Sequence, residues 1–420
     1  MHVLRRWWHD TAGGLPATFW YLWAGILINR AGAFAMLFLS LYLTTARGAS
    51  EALAGAVVGA YGAGGAVGVL LGGVLADRWG RRSTLLAAHL ATVGLMVALA
   101  LSEHLAVIAV LSALVGVVHS MPSPAFVAAI VDLVPESRRS RAFNLQFWAF
   151  NLGMAVASLL AGVLAEASFL ALFLVDAGAT LVTALVIAAK VPETLRRGAP
   201  RPAPATDGRR RPGLLTALTD RTFLTFVALT FVLAVLTMQT STIMPLAMRA
   251  DGLGPSAYGL VVALGGALIV VGQLFVPRLI DRHRKARVLA VSTGLMAIGF
   301  GALSVADGLG VYLAAAAVWT VGSMLAAPPN AQINADLAPP ELRARYQSVF
   351  YLTFPAASFV APTLGGVSLQ YLGSAHWLIV GGLGLLAAAG HLLAGPPRER
   401  RVAALRRATP PRPADQVGVH

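Results

Sequence analysis

Apolar residues along this chain fall in runs long enough to cross a lipid bilayer, and polar residues are confined to the short joints between them. Twelve such runs are centred near residues 31, 64, 93, 118, 153, 179, 235, 266, 297, 322, 358 and 385. A membrane helix needs about 20 apolar residues, and each run supplies them. The pattern predicts an all-α integral membrane protein with twelve spans, the first of them a single helix over residues 17–45. Trp20, Tyr21 and Trp23 at one end of that helix and Tyr42 at the other suit the interfaces where amphipathic rings settle. The chain starts basic but has no small-residue cleavage site ahead of a polar region, so this run reads as a retained helix and not a signal peptide.

Composition agrees. Hydrophobic residues make up 57% of the chain and charged residues 12%, about half the soluble norm of roughly 25%; the mean hydropathy is +0.73. Charge placement adds an orientation. Of the 32 Lys and Arg, all but Arg30, Arg47 and Arg249 lie at the chain ends or in the even-numbered turns. Basic loops stay on the cytoplasmic side, which predicts cytoplasmic termini in a bacterial inner membrane. The net charge of +14 is the product of this asymmetry and points to anionic lipid headgroups, not nucleic acid.

The chain also repeats itself. A shift of 204 residues lays Asp77 on Asp281, Arg78 on Arg282, Pro124 on Pro328, Asp132 on Asp336 and Arg141 on Arg345. Lipid-facing composition does not produce matching Asp, Pro and Arg at one offset, so two six-helix halves in parallel orientation are expected. The expected division is a cytoplasmic segment over 1–16, a first bundle over 17–190, a Pro- and Arg-rich linker over 191–220, a second bundle over 221–394 and a cytoplasmic tail over 395–420.

One joint carries a motif. The stretch "GVLADRWGRR" from Gly73 resembles the loop signature G-x-L-x-D-R-x-G-R-R of the major facilitator superfamily, matching at Gly73, Leu75, Asp77, Arg78, Gly80, Arg81 and Arg82. The second copy keeps Asp281 and Arg282 but has Pro277 and Arg284 in place of its glycines. The resemblance implies two pseudo-symmetric six-helix bundles that rock about a central cavity. It further implies a breakable cytoplasmic latch in which Asp77 meets the start of the eleventh helix near Tyr346, with Arg141 and Arg345 in matching turns. Gly73 is expected to permit close helix approach and Gly80 a tight reversal.

Two charges lie inside apolar runs: Arg30 in "AGILINRAGAFAMLFL" and Asp176 in "FLALFLVDAGATLVTALVIAA". Each costs about 2.5–3.5 kcal/mol at a helix centre and so needs a partner or a wet cavity. At 1.5 Å per residue their depths differ by roughly 8 Å, which allows a pair bridged by water. Arg30 is the candidate substrate ligand. Asp176 is the candidate proton carrier, with a structural pair as the competing account. Asn29 adjoins Arg30, and Phe34 and Phe38 continue its face at i+4 and i+8. Asn144, Trp148, Asn151, Ala155 and Ser158 form one stripe on the fifth helix. His119 on the fourth helix titrates near neutrality when unperturbed. Gln239, Gln273 and Trp319 are the candidates from the second half. The glycines of the second helix, including Gly55, Gly59, Gly68 and Gly72, have small-xxx-small spacing and are expected to pack helices together.

The eleventh helix reads Ala361-Pro362-Thr-Leu-Gly365-Gly366 and the fifth Ala157-Ser158-Leu-Leu-Ala161-Gly162; both are similar to the G-P-x-x-G-G motif of drug:proton antiporters. The "INRAGAF" stretch distantly resembles the arginine-bearing first helix of proton-coupled peptide symporters, without the acidic residues that precede it there. There is no cysteine, and HExxH and GxxxxGK[ST] are absent, so thiolate metal sites and ATP hydrolysis lose their usual handles. An enzyme needs convergent acids and bases that this chain does not offer. The reading is a monomeric secondary transporter without cofactor, exporting amphipathic or lipophilic small molecules against protons. Proton-coupled uptake of a small polar solute such as a peptide or sugar is the alternative.

Overall fold

The computed structural model describes residues 13–195, 215–272, 275–276, 280, 283–339 and 342–408. The second to sixth spans are Glu51–Arg78, Arg81–Leu101, Leu105–Leu133, Glu136–Ala167 and Phe169–Lys190. The seventh, Arg221–Thr242, is extended by Met244–Ala250; Pro255–Gly272, Lys285–Ala302, Leu309–Leu337, the pair Arg343–Tyr351 and Thr353–Leu372, and Ala375–Leu393 complete the set. All but the first span contain a helix long and apolar enough to cross a bilayer. Among the described residues there is no strand. The fourth span is two helices in succession, one ending at Ser120 and the next opening at Pro122, where proline cannot donate to the preceding turn.

The first span departs from the single helix expected over 17–45. It is two helices, Ala17–Ala31 and Leu39–Thr45, separated by an irregular segment. Gly32 ends the first piece with φ −101° and ψ 0°, and a Cβ placed there would lie 2.2 Å from the Cβ of Ala179. The break frees backbone donors, and in lipid each unmet one costs several kcal/mol. The sixth span answers this: Ala35 N–H donates to Asp176 Oδ2 at 3.1 Å.

Among the described residues the two halves meet backbone to backbone at a set of glycines. On the second span, a Cβ on Gly55 would lie 2.1 Å from Pro362 O, and one on Gly62 2.4 Å from Ser358 O. On the eighth, a Cβ on Gly259 would lie 2.4 Å from Ser158 O. Such distances require glycine, the usual means of close helix approach in membranes. The glycine stripe of the second span divides its work, since Gly68 and Gly72 pack instead on Val117 and Met121 of the fourth. These cross-half contacts lie at the end opposite the arginine-rich turns. Towards the arginine-rich end Gly73 meets nothing within 4 Å, so the close approach expected there is absent. Among the described residues, the close glycine contacts between the halves thus lie away from the arginine-rich face.

The described parts of the segments expected as linker and tail make specific contacts. Glu193 accepts the Arg81 N–H at 2.9 Å and caps the third span. A short helix, Leu215–Thr219, leads to Asp220, which caps the seventh at Phe223 N. Gly395–Ala408 is a helix docked on the second half. There Arg398 is 4% exposed and donates to His391 O at 2.7 Å, Arg401 pairs with Asp220 at 2.5 Å, and Glu399 pairs with Arg284.

Candidate substrate cavity

A cavity of about 420 Å³ opens among the first six spans, with Arg30, Tyr61, His89, His119, Phe150 and Thr180 in its wall. The break at Gly32 leaves Arg30 in the last turn of the first helical piece. Its guanidinium lies over the Phe150 ring, 4.4 Å from the centroid, an arrangement favoured by the ring's negative face. Gly153 makes room for it, since a Cβ there would approach Arg30 Cβ to 2.6 Å. Asn29 Nδ2 donates to Thr180 Oγ1 at 3.1 Å. Tyr61 Oη and His119 Nδ1 are 2.7 Å apart, and their donor and acceptor roles depend on the histidine tautomer. His89 Nδ1 lies 2.7 Å from Leu85 O. A carbonyl only accepts, so Nδ1 carries the proton and Nε2 of the neutral ring is an acceptor.

Three of the expected ligands reach this wall: Asn29, Arg30 and His119. Phe34 and Phe38 do not. The broken helix ends the i+4 and i+8 register, and both rings are buried in the core; Phe38 meets Tyr258 edge to face with ring centroids 5.1 Å apart. The fifth span presents Phe143, Gln146, Phe147 and Phe150, one position off the expected stripe. Ser158 and Ala155 of that stripe face Gly259 and Gly266 of the other half. Trp148 is outside the wall and exposed, and Asn151 donates to Phe147 O at 2.8 Å. In the second half, Gln239 Oε1 lies 3.3 Å from His376 Nε2, and Trp319 stacks on Phe300 at 4.9 Å; neither lines this cavity. Gln273 lies outside the described residues. Asp176 is 4% exposed and sits behind the wall. Tyr61, His89, Phe150 and Thr180 were not among the sequence candidates. Tyr61 had a signal, as the one large side chain in the glycine-rich stretch from Gly59 to Gly65.

At the arginine-rich face, Gly80 has φ +109°, the reversal expected of it, and a Cβ there would strike Glu193. Arg81 is the hub: its Nε is 3.0 Å from Asp132 Oδ2 and it donates to Ala76 O at 3.0 Å. Among the described residues Asp77 pairs with Arg81 alone, at 3.5 Å, with 65% of its side chain exposed. Arg82 donates to Ala188 O and Arg141 to Gly13 O, while Arg78 is exposed at the end of its helix. Tyr346 donates to Asp220 at 2.8 Å, and the expected contact of Asp77 with the start of the eleventh span is not made among the described residues. Arg345 keeps one buried guanidinium nitrogen without a partner among the described residues. Asp281 and Arg282 lie outside the described residues.

The family model of the Major Facilitator Superfamily matches residues 22–329 and 228–416. The chain belongs to the major facilitator superfamily. Like other members of that superfamily it is a multi-pass membrane transporter. It is 24% identical to the MFS-type transporter YqjV of Bacillus subtilis over 362 residues, which cover 84% of this chain and 87% of that one. It is 25% identical to a Na(+), Li(+), K(+)/H(+) antiporter of Planococcus maritimus, over 70% of this chain and 76% of the relative. Among solved structures, a POT peptide transporter in complex with sulfate superposes with a TM-score of 0.75 at 18% identity, covering 92% of this chain and 96% of that one. At that identity the likeness speaks for the fold.

Proposed function

We propose that this transporter exports amphipathic or lipophilic small molecules in exchange for protons by alternating access. The observation that carries this is a cavity of about 420 Å³ in a molecule sealed by glycine contacts at one face and parted at the other. With the arginine-rich face cytoplasmic, this is the inward-open arrangement in a bacterial inner membrane. The bundles over 17–190 and 221–394 move as units joined by residues 191–220, and one chain suffices. A wall of four phenylalanines with a few fixed polar groups suits a ligand with a large apolar body. The antiporter relative supports counter-transport of an ion.

Asp176 is the group proposed to carry the proton. Its carboxylate holds the freed Ala35 N–H. A proton on that carboxylate weakens a charge-assisted bond and loosens the break in the first span. Proteoliposomes loaded with a lipophilic dye and given an imposed pH gradient test the reading. Dye flux should follow the gradient and lose that dependence in Asp176→Asn. Gradient-independent flux in the native protein rejects proton coupling, and no flux of any probe rejects transport.

A further inference from the structure

We propose that the cavity selects ligands bearing one anionic group, a carboxylate or an equivalent oxyanion, which docks on Arg30 beside a flat apolar body. The proposal rests on the transport reading above and names the substrate class of the same cavity.

The argument begins with the charge inventory of the wall. Arg30 is permanently protonated, and the residues lining the cavity include no Asp or Glu. Its other polar neighbours are dipoles already committed in part: Asn29 to Thr180, Tyr61 to His119, and His89 Nδ1 to Leu85 O. Among the described residues Arg30 makes no ion pair; its guanidinium lies over the Phe150 face, with the Asp176 carboxylate in electrostatic range behind the wall. Asp176, the carboxylate that sequence pairs with it, is spent on Ala35 N–H and does not line the cavity. Asp176 offsets the charge only from behind the wall, so on the cavity side the guanidinium faces no anion, which is costly in a low-dielectric setting. A ligand oxyanion supplies what the wall leaves out.

Geometry narrows the class further. The guanidinium is a planar fork matched to the two oxygens of a carboxylate, and the Phe150 ring backs it at 4.4 Å. Phe126, Phe143 and Phe147 line the same space, so the body beside the charge is apolar and thin. A cationic ligand meets Arg30 with like charge and no carboxylate in the wall, which disfavours it by repulsion.

Three isosteric probes test this on the purified full-length chain: naphthoate, the neutral naphthamide and the cationic naphthylmethylammonium, each measured by calorimetric titration. Naphthoate should bind about tenfold or more tighter than naphthamide, and the ammonium weakest. Arg30→Gln should collapse the gap between naphthoate and naphthamide, and Arg30→Lys should restore part of it. Equal or reversed ranking in the native protein overturns the anion proposal while leaving the cavity as the binding place, and it does so without relying on the folding of any variant. An unchanged gap in Arg30→Gln overturns it equally. If no probe binds the native protein, both the cavity reading and this proposal fall.

Discussion

Lys285 Nζ lies 2.7 Å from Asp336, reproducing 204 residues later the 3.0 Å pairing of Arg81 with Asp132. Each pair ties the turn that starts the third span of a half to the inner end of its fourth. The repeat read from matching letters is therefore a repeat of contacts, with lysine standing in for arginine. Both pairs are partly exposed, so each is worth about 0.2–1 kcal/mol. Asp132→Asn and Asp336→Asn should each lower thermal stability by about that much. They sit in different halves and share no partner, so the double variant should be additive. A denaturation series on the four proteins measures it, and a large coupling would show that the halves are not independent.

Asp77 illustrates a charge whose partner is missing in one arrangement. Here it has only the i,i+4 contact to Arg81, so Asp77→Asn should cost this arrangement little. If the carboxylate engages the eleventh span when the arginine-rich face closes, the same variant disfavours that closure. Transport should drop several-fold with expression near normal. The chain has no cysteine, so spin labels on two introduced cysteines report the opening of that face. An unaltered distance distribution together with full transport would remove the latch.

The sealed face depends on Gly55. Alanine there places a methyl 2.1 Å from Pro362 O, which the second and eleventh spans can relieve only by parting. Gly55→Ala should slow transport and widen the separation between labels near Glu51 and Gln370, whose neighbourhood is joined by the Ala52 N–H to Gln370 bond of 3.1 Å. Gly94→Ala is the control, because a Cβ at Gly94 meets nothing within 4 Å. Equal behaviour of the two variants would count against the seal.

The docked C-terminal helix should respond to acid. The hydrogen bonds from Arg284 hold Glu399 below the usual glutamate range. A depressed carboxyl stabilises the docked state above its ordinary pKa of about 4, and that contribution fades as pH falls through and below this range. Both side chains are about half exposed, so the effect should be small and salt-sensitive. Limited proteolysis of the 395–408 segment should accelerate from pH 6 towards pH 3 in the native protein. Glu399→Gln should digest faster at pH 6 and lose most of that acceleration.

Twelve spans, the duplication and the Gly80 reversal were legible because lipid permits so few solutions for long apolar runs and because the motif glycine has a backbone reason to exist. The break at Gly32 was not. Nothing in an apolar run marks where its hydrogen bonds stop, and the compensating acceptor, Asp176, lies on another helix 141 residues away. The cavity face of the fifth span lies one position off the stripe that its polar letters mark, because its lining is largely phenylalanine and the small polar positions serve helix contact. Trp319 and Gln239 were polar or aromatic for reasons internal to the second half. The ordered helix beyond Gly395 was read as tail because it is too charged to resemble a span.

Every described wall residue of the cavity comes from the first half of the chain. On the proposed transport reading, such an arrangement would separate cargo choice from gating: one bundle would hold the passenger and the other would act as a moving shutter. A chimera that exchanges only residues 17–190 with a relative should therefore inherit that relative's ligand preference while keeping this chain's shutter. Duplication has thus left two copies of one architecture free to diverge in role.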